Sequence, residues 1–246
     1  MTTLFISDLH LEDSHPDTCG WLLDFLSGPA TGAGELYILG DLFEAWIGDD
    51  AVSKTAQRVA AAINELTSSG TPCYFMHGNR DFLLGEVYAR EAGLTLLPET
   101  AVIDLYGTPT LLLHGDTLCT DDVEYQAFRQ QSRNPAWQAG VLSLSIKERL
   151  QLARNARDAS KAHTGATAMS IMDVNETAVI KAFQQHNVHR MIHGHTHRPA
   201  VHQHRLENGD VGERIVLSDW YTEGSYLKVG PGEIESIKLA VGTPAN

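Results

Sequence analysis

Seven side chains able to bind a metal ion stand in five short motifs, each directly after an apolar run. LFIS leads into Asp8-Leu9-His10, LYIL into Gly40-Asp41, and CYFM into His77-Gly78-Asn79-Arg80-Asp81. LLL leads into His114-Gly115-Asp116, and RMI into His193-Gly194-His195-Thr196-His197. Asp, His and Asn without Cys form a mixed nitrogen and oxygen donor set, suited to Mn, Fe, Zn or Mg rather than to a thiolate site. The candidates Asp8, His10, Asp41, Asn79, His114, His195 and His197 are too many for one tetrahedral ion. They suit two ions that share a carboxylate. Ions ~3.5–4 Å apart activate water and neutralise phosphoryl oxygens during in-line attack, so the chemistry is hydrolysis of a phosphate ester or anhydride. Each motif alone is weak: an Asp-x-His after a strand also reads as a helix cap or a core histidine. The period-two spacing of His193, His195 and His197 also fits one face of an edge strand. Five together, each at a strand end, outweigh those readings.

The elements that must position these residues are legible as short β-rich runs. They lie at Leu4–Ser7, Leu36–Leu39, Cys73–Met76, Val102–Leu105, Thr110–Leu113 and Arg190–Ile192, and then at Arg214–Leu217, Tyr226–Val229 and Ile234–Leu239. Helical patterns fall between the early ones. The clearest carries Val52, Ala56, Val59, Ala60, Ile63 and Leu66 at i, i+3, i+4 spacing and closes on Gly70 and Pro72. A second runs from about Met169 to His186. The order, βαβαβ early and mostly strands later, predicts an α/β sandwich with both sheet faces covered. In such sheets ligands bind beyond the carboxyl ends of the strands, where the five motifs fall. Glycines beside several of them let the backbone turn tightly and approach an ion.

The segment from Asp121 to about Thr167 differs, having no convincing strand but apolar Val141, Leu142, Leu144, Ile146 and Leu150 at helical spacing. Its basic residues Arg129, Arg133, Lys147, Arg149, Arg154, Arg157 and Lys161 are opposed only by Glu148 and Asp158. It reads as a helical cap, residues 121–167, inserted in a core formed by 1–120 and 168–246. An ordinary helical pair with a solvated basic face is the alternative.

Composition narrows the partners. A formal charge of −13 argues against coating nucleic acid, although bound divalent ions can still reverse the sign locally. The three cysteines, Cys19, Cys73 and Cys119, are scattered, as expected of reduced thiols in a cytoplasmic compartment. The N-terminus lacks a signal-peptide pattern, and no apolar stretch approaches the ~20 residues that span a bilayer.

The order DxH, GD, GN, HGD, GHTH resembles the calcineurin-like metallophosphoesterases and covers Asp8 to His197. The resemblance implies a double-sheet sandwich flanked by helices. It also implies Asp8, His10, Asp41 and His197 on one ion, with Asp41, Asn79, His114 and His195 on the other. One departure is informative. Where the family has a His after the Asn, this chain has Arg80. An arginine cannot act as a general acid near neutral pH. It can clamp a phosphate and stabilise negative charge. An alkoxide leaving group would miss the acid, whereas a phosphate would not, so Arg80 predicts a phosphoanhydride substrate.

The longer stretches LFISDLHL, YILGDLFEAWIGDD, HGNRDFLLG, LLHGDTLCTDD, IMDVN and IHGHTHRPA resemble a narrower bacterial group within that family. Its members split the pyrophosphate of a UDP-linked diacylated glucosamine in lipid A biosynthesis. That resemblance implies Mn²⁺ as the usual metal, UMP and a diacylglucosamine 1-phosphate as products, and peripheral attachment to the cytoplasmic face of the inner membrane. It places substrate contacts on Asn79, Arg80, Asp122, Ser160, Thr164, Thr167 and His195, with Arg157 joining from one turn before Ser160. Thr167 departs from the group, where a Lys is usual, and Asp122, Ser160 and Thr164 also read as helix caps or turn residues. The catalytic expectation rests on Asp41, Asn79, Arg80 and His195. The competing readings are a metallophosphoesterase acting on nucleotides or phosphodiesters, and a metal-free scaffold; filled ligand positions weigh against the scaffold.

The remaining chemistry-bearing residues have quieter expectations. His15, His163, His186, His189, His202 and His204 read as surface or supporting groups, and Asp81 and Asp116 as acceptors that orient ligands. Phe43, Trp46 and Phe82 read as core. Asp49-Asp50 reads as a solvated turn.

Overall fold

A computed structural model describes residues 1–166, 171 and 173–239, the side chains of 161–166 excepted. The first half builds β1 (Thr3–Ile6), α1 (Pro16–Ser27), β2 (Glu35–Leu39), α2 (Lys54–Ser68), β3 (Cys73–Met76), α3 (Glu86–Ala92) and β4 (Leu94–Leu96). Then come β5 (Thr100–Leu105), β6 (Thr108–Leu113), α4 (Val123–Ser132), α5 (Pro135–Leu142) and α6 (Ile146–Ala166). The chain continues with α7 (Glu176–His186), β7 (Arg190–His193), β8 (Ala200–Arg205), β9 (Val211–Val216), β10 (Ser225–Gly230) and β11 (Glu233–Lys238).

The strands form two mixed sheets, ordered β11-β10-β1-β2-β3-β4 and β5-β6-β7-β9-β8. β1 to β4 run parallel in the first, and β6, β7 and β9 in the second. Side-chain alternation explains the layering. Leu4, Ile6, Leu36, Ile38 and Phe75 turn toward α1, α2 and α3. Phe5, Tyr37, Leu39 and Met76 turn the other way, into a core shared with Leu111, Leu113, Met191 and Ile215 of the second sheet. Val179 and Phe183 of α7 join that core. The expected sandwich is observed, and its parallel strands all deliver their carboxyl ends to one edge.

The structure adds to the local expectations at three points. The helix expected from about Met169 begins at Glu176 instead, because Asn175 caps it with Oδ1 accepting from the Ala178 amide at 3.1 Å; Met169 itself lies outside the described residues. Asp49 and Asp50 do form a turn with Asp50 exposed, yet both carry structural contacts. Asp49 caps α3, accepting from Gly85, Val87 and Tyr88 amides and from Trp46 Nε1, and Asp50 pairs with Arg149 of α6. The strands β4 and β8 are additions, the first three residues long and the second the polar edge strand AVHQHR. Among the described residues, no helix is long and apolar enough to cross a membrane.

Candidate metal centre

Backbone pairing continues beyond the ends of β1 and β2 and sets the first ligands. The amides of Asp8, His10 and Leu11 donate to the carbonyls of Gly40, Asp41 and Leu42 at 3.0–3.1 Å, and the Glu44 amide returns a bond to Leu11. Between these bonds the chain must turn side chains inward, and it does so by left-handed residues. Asp8, His10, Asp41, His195 and His197 all have φ between 51° and 68°. Such values are uncommon outside glycine and cost about 1–3 kcal/mol each, strain that collects at functional sites. His195 and His197 are therefore not one face of an edge strand; β7 ends at His193.

Two glycines make room. A Cβ on Gly78 would lie 2.1 Å from Asp41 Oδ1, and one on Gly194 would lie 2.1 Å from Asp8 Oδ2. Neither position accepts a side chain without displacing a carboxylate.

The candidates gather in two overlapping groups. Asp8, His10 and His197 bring one ligand atom each to within 4.8 Å of the others, and so do Asp8, Asp41 and His114. Asp41 faces both halves, with Oδ2 3.9 Å from His10 Nε2 and Oδ1 3.8 Å from His114 Nε2. Asn79 Oδ1 lies 3.0 Å from His114 Nε2 and 2.9 Å from His195 Nδ1. His10 Nε2 and His197 Nε2 are 3.4 Å apart. All seven candidates thus converge at the shared strand edge.

The electrostatics are those of a site that attracts cations. Asp8 and Asp41 are 0% and 2% exposed, and their ion-pair partners among the described residues are imidazoles. Burial works to raise Asp8, yet His197, His114 and His10 hold its carboxyl far below the usual range. Burial works against a charged His114, but Asp41, Asp8 and Asp116 outweigh it and raise its pKa. His195 is the reverse: burial and then His114 push it down to about 4, leaving a neutral ring with a lone pair to give.

A pair of divalent ions fits these residues. Asp8 Oδ1 is buried with no hydrogen-bond donor. His114 Nδ1 lies 2.8 Å from the Leu39 carbonyl, which holds a proton there and leaves Nε2, 3.0 Å from Asn79 Oδ1, as the nitrogen that would give its lone pair to an ion. Two buried carboxylates, one with an unpartnered oxygen, beside ring nitrogens and an amide oxygen make a donor set that cations satisfy.

The supporting residues differ in part from expectation. Asp81 does not orient a ligand side chain; it ties loops together, accepting from the Leu42 amide at 2.7 Å and the Gly78 amide at 2.8 Å. Burial, then Asp41, push its pKa up to about 6. Asp116 accepts from Tyr125 Oη at 2.7 Å and Arg129 Nε at 2.8 Å, so it anchors α4. Phe43 and Trp46 are core, whereas Phe82 is half-buried under Arg133, whose guanidinium carbon sits 5.3 Å from the ring centre.

Of the expected substrate residues, Arg80 and Ser160 meet, with Arg80 Nη2 3.5 Å from Ser160 Oγ. Arg80 Nε is buried without a partner, and the Arg80 amide donates to Asp41 Oδ1 at 2.8 Å. Asp122 is the N-cap of α4, accepting from the Tyr125 amide at 3.0 Å. Arg157 is engaged by Glu12 and Glu44. Thr164 lies within α6 but its side chain, like Thr167 and the side chain of His163, falls outside the described residues.

Several residues carry no signal in the sequence. Glu44 Oε2 sits 2.9 Å from His10 Nδ1, and Tyr221 stacks on the His10 ring at 5.1 Å. Ser7 Oγ donates to Asp8 Oδ2 at 2.6 Å. Arg214 donates to His193 Nε2 and His204 Nε2, both at 3.1 Å, beneath the loop carrying His195 and His197. Their partners are remote in sequence; only Ser7, beside a ligand, was open to inspection.

An α/β sandwich that collects Asp, His and Asn at the carboxyl ends of its parallel strands is built as a metal-dependent hydrolase. The chain belongs to the calcineurin-like phosphoesterase family, whose model matches residues 1–199. It is 54% identical over 239 residues to a UDP-2,3-diacylglucosamine hydrolase of Stenotrophomonas maltophilia (strain K279a), covering 94% of this chain and 96% of that one. A protein of the same name from Escherichia fergusonii is 51% identical over 237 residues, covering 96% and 98%.

Proposed function

We propose that this chain hydrolyses the pyrophosphate bond of UDP-2,3-diacylglucosamine, giving UMP and 2,3-diacylglucosamine 1-phosphate for lipid A biosynthesis. The observation that carries the chemistry is Asp41 set between two ligand groups, with Arg80 beside it. The relatives' printed name supports the substrate.

In this reading Asp8, His10, Asp41 and His197 hold one ion, and Asp41, Asn79, His114 and His195 the other. Both ions are Mn²⁺, and when bound they supply an activated water and neutralise phosphoryl charge. The protein residues do the rest. Arg80, with its buried unpartnered Nε, holds a phosphate and stabilises its developing charge. It has no proton to give, and a phosphate leaving group needs none. Neutral His195 orients the substrate at the Asn79 side of the site.

Residues 121–167 act as a cap on a core of 1–120 and 168–246. Asn79, Arg80, Asp122, Ser160, Thr164, Thr167 and His195 contact the substrate, and Arg157 braces the helix that carries Ser160. Phe128, Leu142, Ile146, Leu150 and Leu152 are exposed on the cap helices, apolar surface suited to acyl chains and to peripheral contact with the cytoplasmic face of the inner membrane.

Hydrolysis in ¹⁸O-labelled water with Mn²⁺ tests the proposal. Label in UMP is the expected result. Label in the lipid phosphate overturns attack on the uridine-side phosphorus. Turnover of nucleotide phosphodiesters with none of the UDP-lipid overturns the substrate.

A further inference from the structure

Glu44 follows Asp41 by three positions and sits at the end of the backbone ladder that sets both ligand loops, its amide donating to the Leu11 carbonyl at 3.1 Å. Its side chain is only 10% exposed. The two oxygens of its carboxylate are divided. Oε2 lies 2.9 Å from His10 Nδ1, and Oε1 lies 2.9 Å from Arg157 Nε on α6. Arg157 also reaches Glu12, with Nη1 3.2 Å from Oε2. A metal-facing imidazole and a residue of the helical segment thus share one nearly buried carboxylate.

This division has two consequences. The Glu44 carboxylate meets His10 Nδ1 at ion-pair distance, without the alignment of a hydrogen bond, and its negative charge favours a proton on that nitrogen over one on Nε2, the atom that faces His197 and Asp41. The same carboxylate fixes where Arg157, and with it the middle of α6, comes to rest. The segment's other arginines bear on Asp116, Glu99 and the Gly78 carbonyl (Arg129 and Arg133) and on Asp50 and the Ile47 carbonyl (Arg149), and Ser160 of α6 meets Arg80. Among these arginines, Arg157 is the one joined to a ligand through a single intervening side chain.

We propose that Glu44 is a positioning residue that couples the ion held by His10 to the seating of α6 through Arg157. Binding of the ion orders His10 and Glu44, and an ordered Glu44 holds Arg157 more firmly. By reciprocity, loss of the Arg157 contact weakens the ion. The inference rests on His10 as a metal ligand and not on the identity of the lipid.

Mn²⁺ affinity and amide exchange test it, and neither readout depends on hydrolysis of the UDP-lipid. Glu44→Ala is expected to weaken one of the two Mn²⁺ ions about 10- to 100-fold, as removal of an outer ligand partner does. Glu44→Gln keeps an acceptor for Nδ1–H and is expected to recover most of that loss, which separates positioning from misfolding. Arg157→Ala is expected to weaken the same ion several-fold, and the double variant to be no worse than Glu44→Ala. Mn²⁺ is expected to slow exchange in α6 of the unaltered protein but not of Glu44→Ala. Two full-affinity Mn²⁺ ions in Glu44→Ala, or additive losses in the double variant, would overturn the coupling. So would α6 exchange that ignores Mn²⁺.

Discussion

Asn79 Oδ1 lies 3.0 Å from His114 Nε2, and the other His114 nitrogen is held by the Leu39 carbonyl, so the oxygen and Nε2 share one side of the site. In the proposed two-ion site both bind the same ion. Asn79→Ala is therefore expected to leave one tightly held ion per chain instead of two, measured by metal analysis after Mn²⁺ loading and desalting. The activity loss should exceed the about 10- to 100-fold typical of outer partners. Retention of both ions would contradict the assignment of Asn79.

Close approach predicts the effect of two methyl groups. Gly78→Ala and Gly194→Ala each push a Cβ to 2.1 Å from a carboxylate oxygen of Asp41 or Asp8. Both should lose Mn²⁺ binding and activity. Gly140, exposed in α5 with nothing within 4 Å of an added Cβ, is the control. Gly140→Ala should leave activity unchanged and add about 0.5–1 kcal/mol of stability. Equal behaviour of all three in a metal-binding assay would show that the site tolerates more than its geometry allows.

Arg80 predicts a separation of chemistry from metal binding. Its backbone amide, not its side chain, bonds Asp41. Arg80→Ala should keep both ions yet lower kcat about 10²- to 10³-fold, and Arg80→Lys should recover only part, since Lys lacks the planar fork. Steady-state kinetics beside metal analysis checks this; an unchanged kcat removes Arg80 from the charge-stabilising role.

His193 predicts a pH dependence of stability in the metal-free protein. Burial, then Arg214, lower its pKa from 6.5 to about 3, so the folded state keeps the ring neutral. Below pH 6.5 the unfolded chain takes up a proton that the folded chain refuses, and stability falls as pH falls, until about pH 3. Asp81, pushed up to about 6, acts in the opposite direction. Comparing the unaltered protein with His193→Gln removes that common contribution. Between pH 6 and 4.5 their denaturant-derived stabilities should diverge in slope by about 1.4 kcal/mol per pH unit. Parallel slopes would mean that His193 is protonated in the fold.

The sequence disclosed the candidate ligands because metal-binding side chains at strand ends interrupt an apolar pattern, and five interruptions of compatible chemistry reinforce one another. It disclosed β3 residue for residue, since CYFM is bounded by Pro72 and His77. It did not disclose β8, whose AVHQHR is half polar because it is an edge strand covered on one face only. Nor did it disclose Glu44 or Asp50, ordinary acids until Arg157 and Arg149 arrive from α6. Local pattern fixes what a residue can ligate; which carboxylate braces which helix is settled only by tertiary packing.

The proposed function requires Asp41 to join two ions that this protein needs for hydrolysis of a UDP-linked lipid. Protein stripped with a chelator should not turn over UDP-2,3-diacylglucosamine. Titration with Mn²⁺ should restore activity, reaching a plateau at two ions per chain, and Asp41→Ala should bind neither ion and stay inactive. Turnover by the stripped protein, or a plateau at a single ion, would deny Asp41 that role.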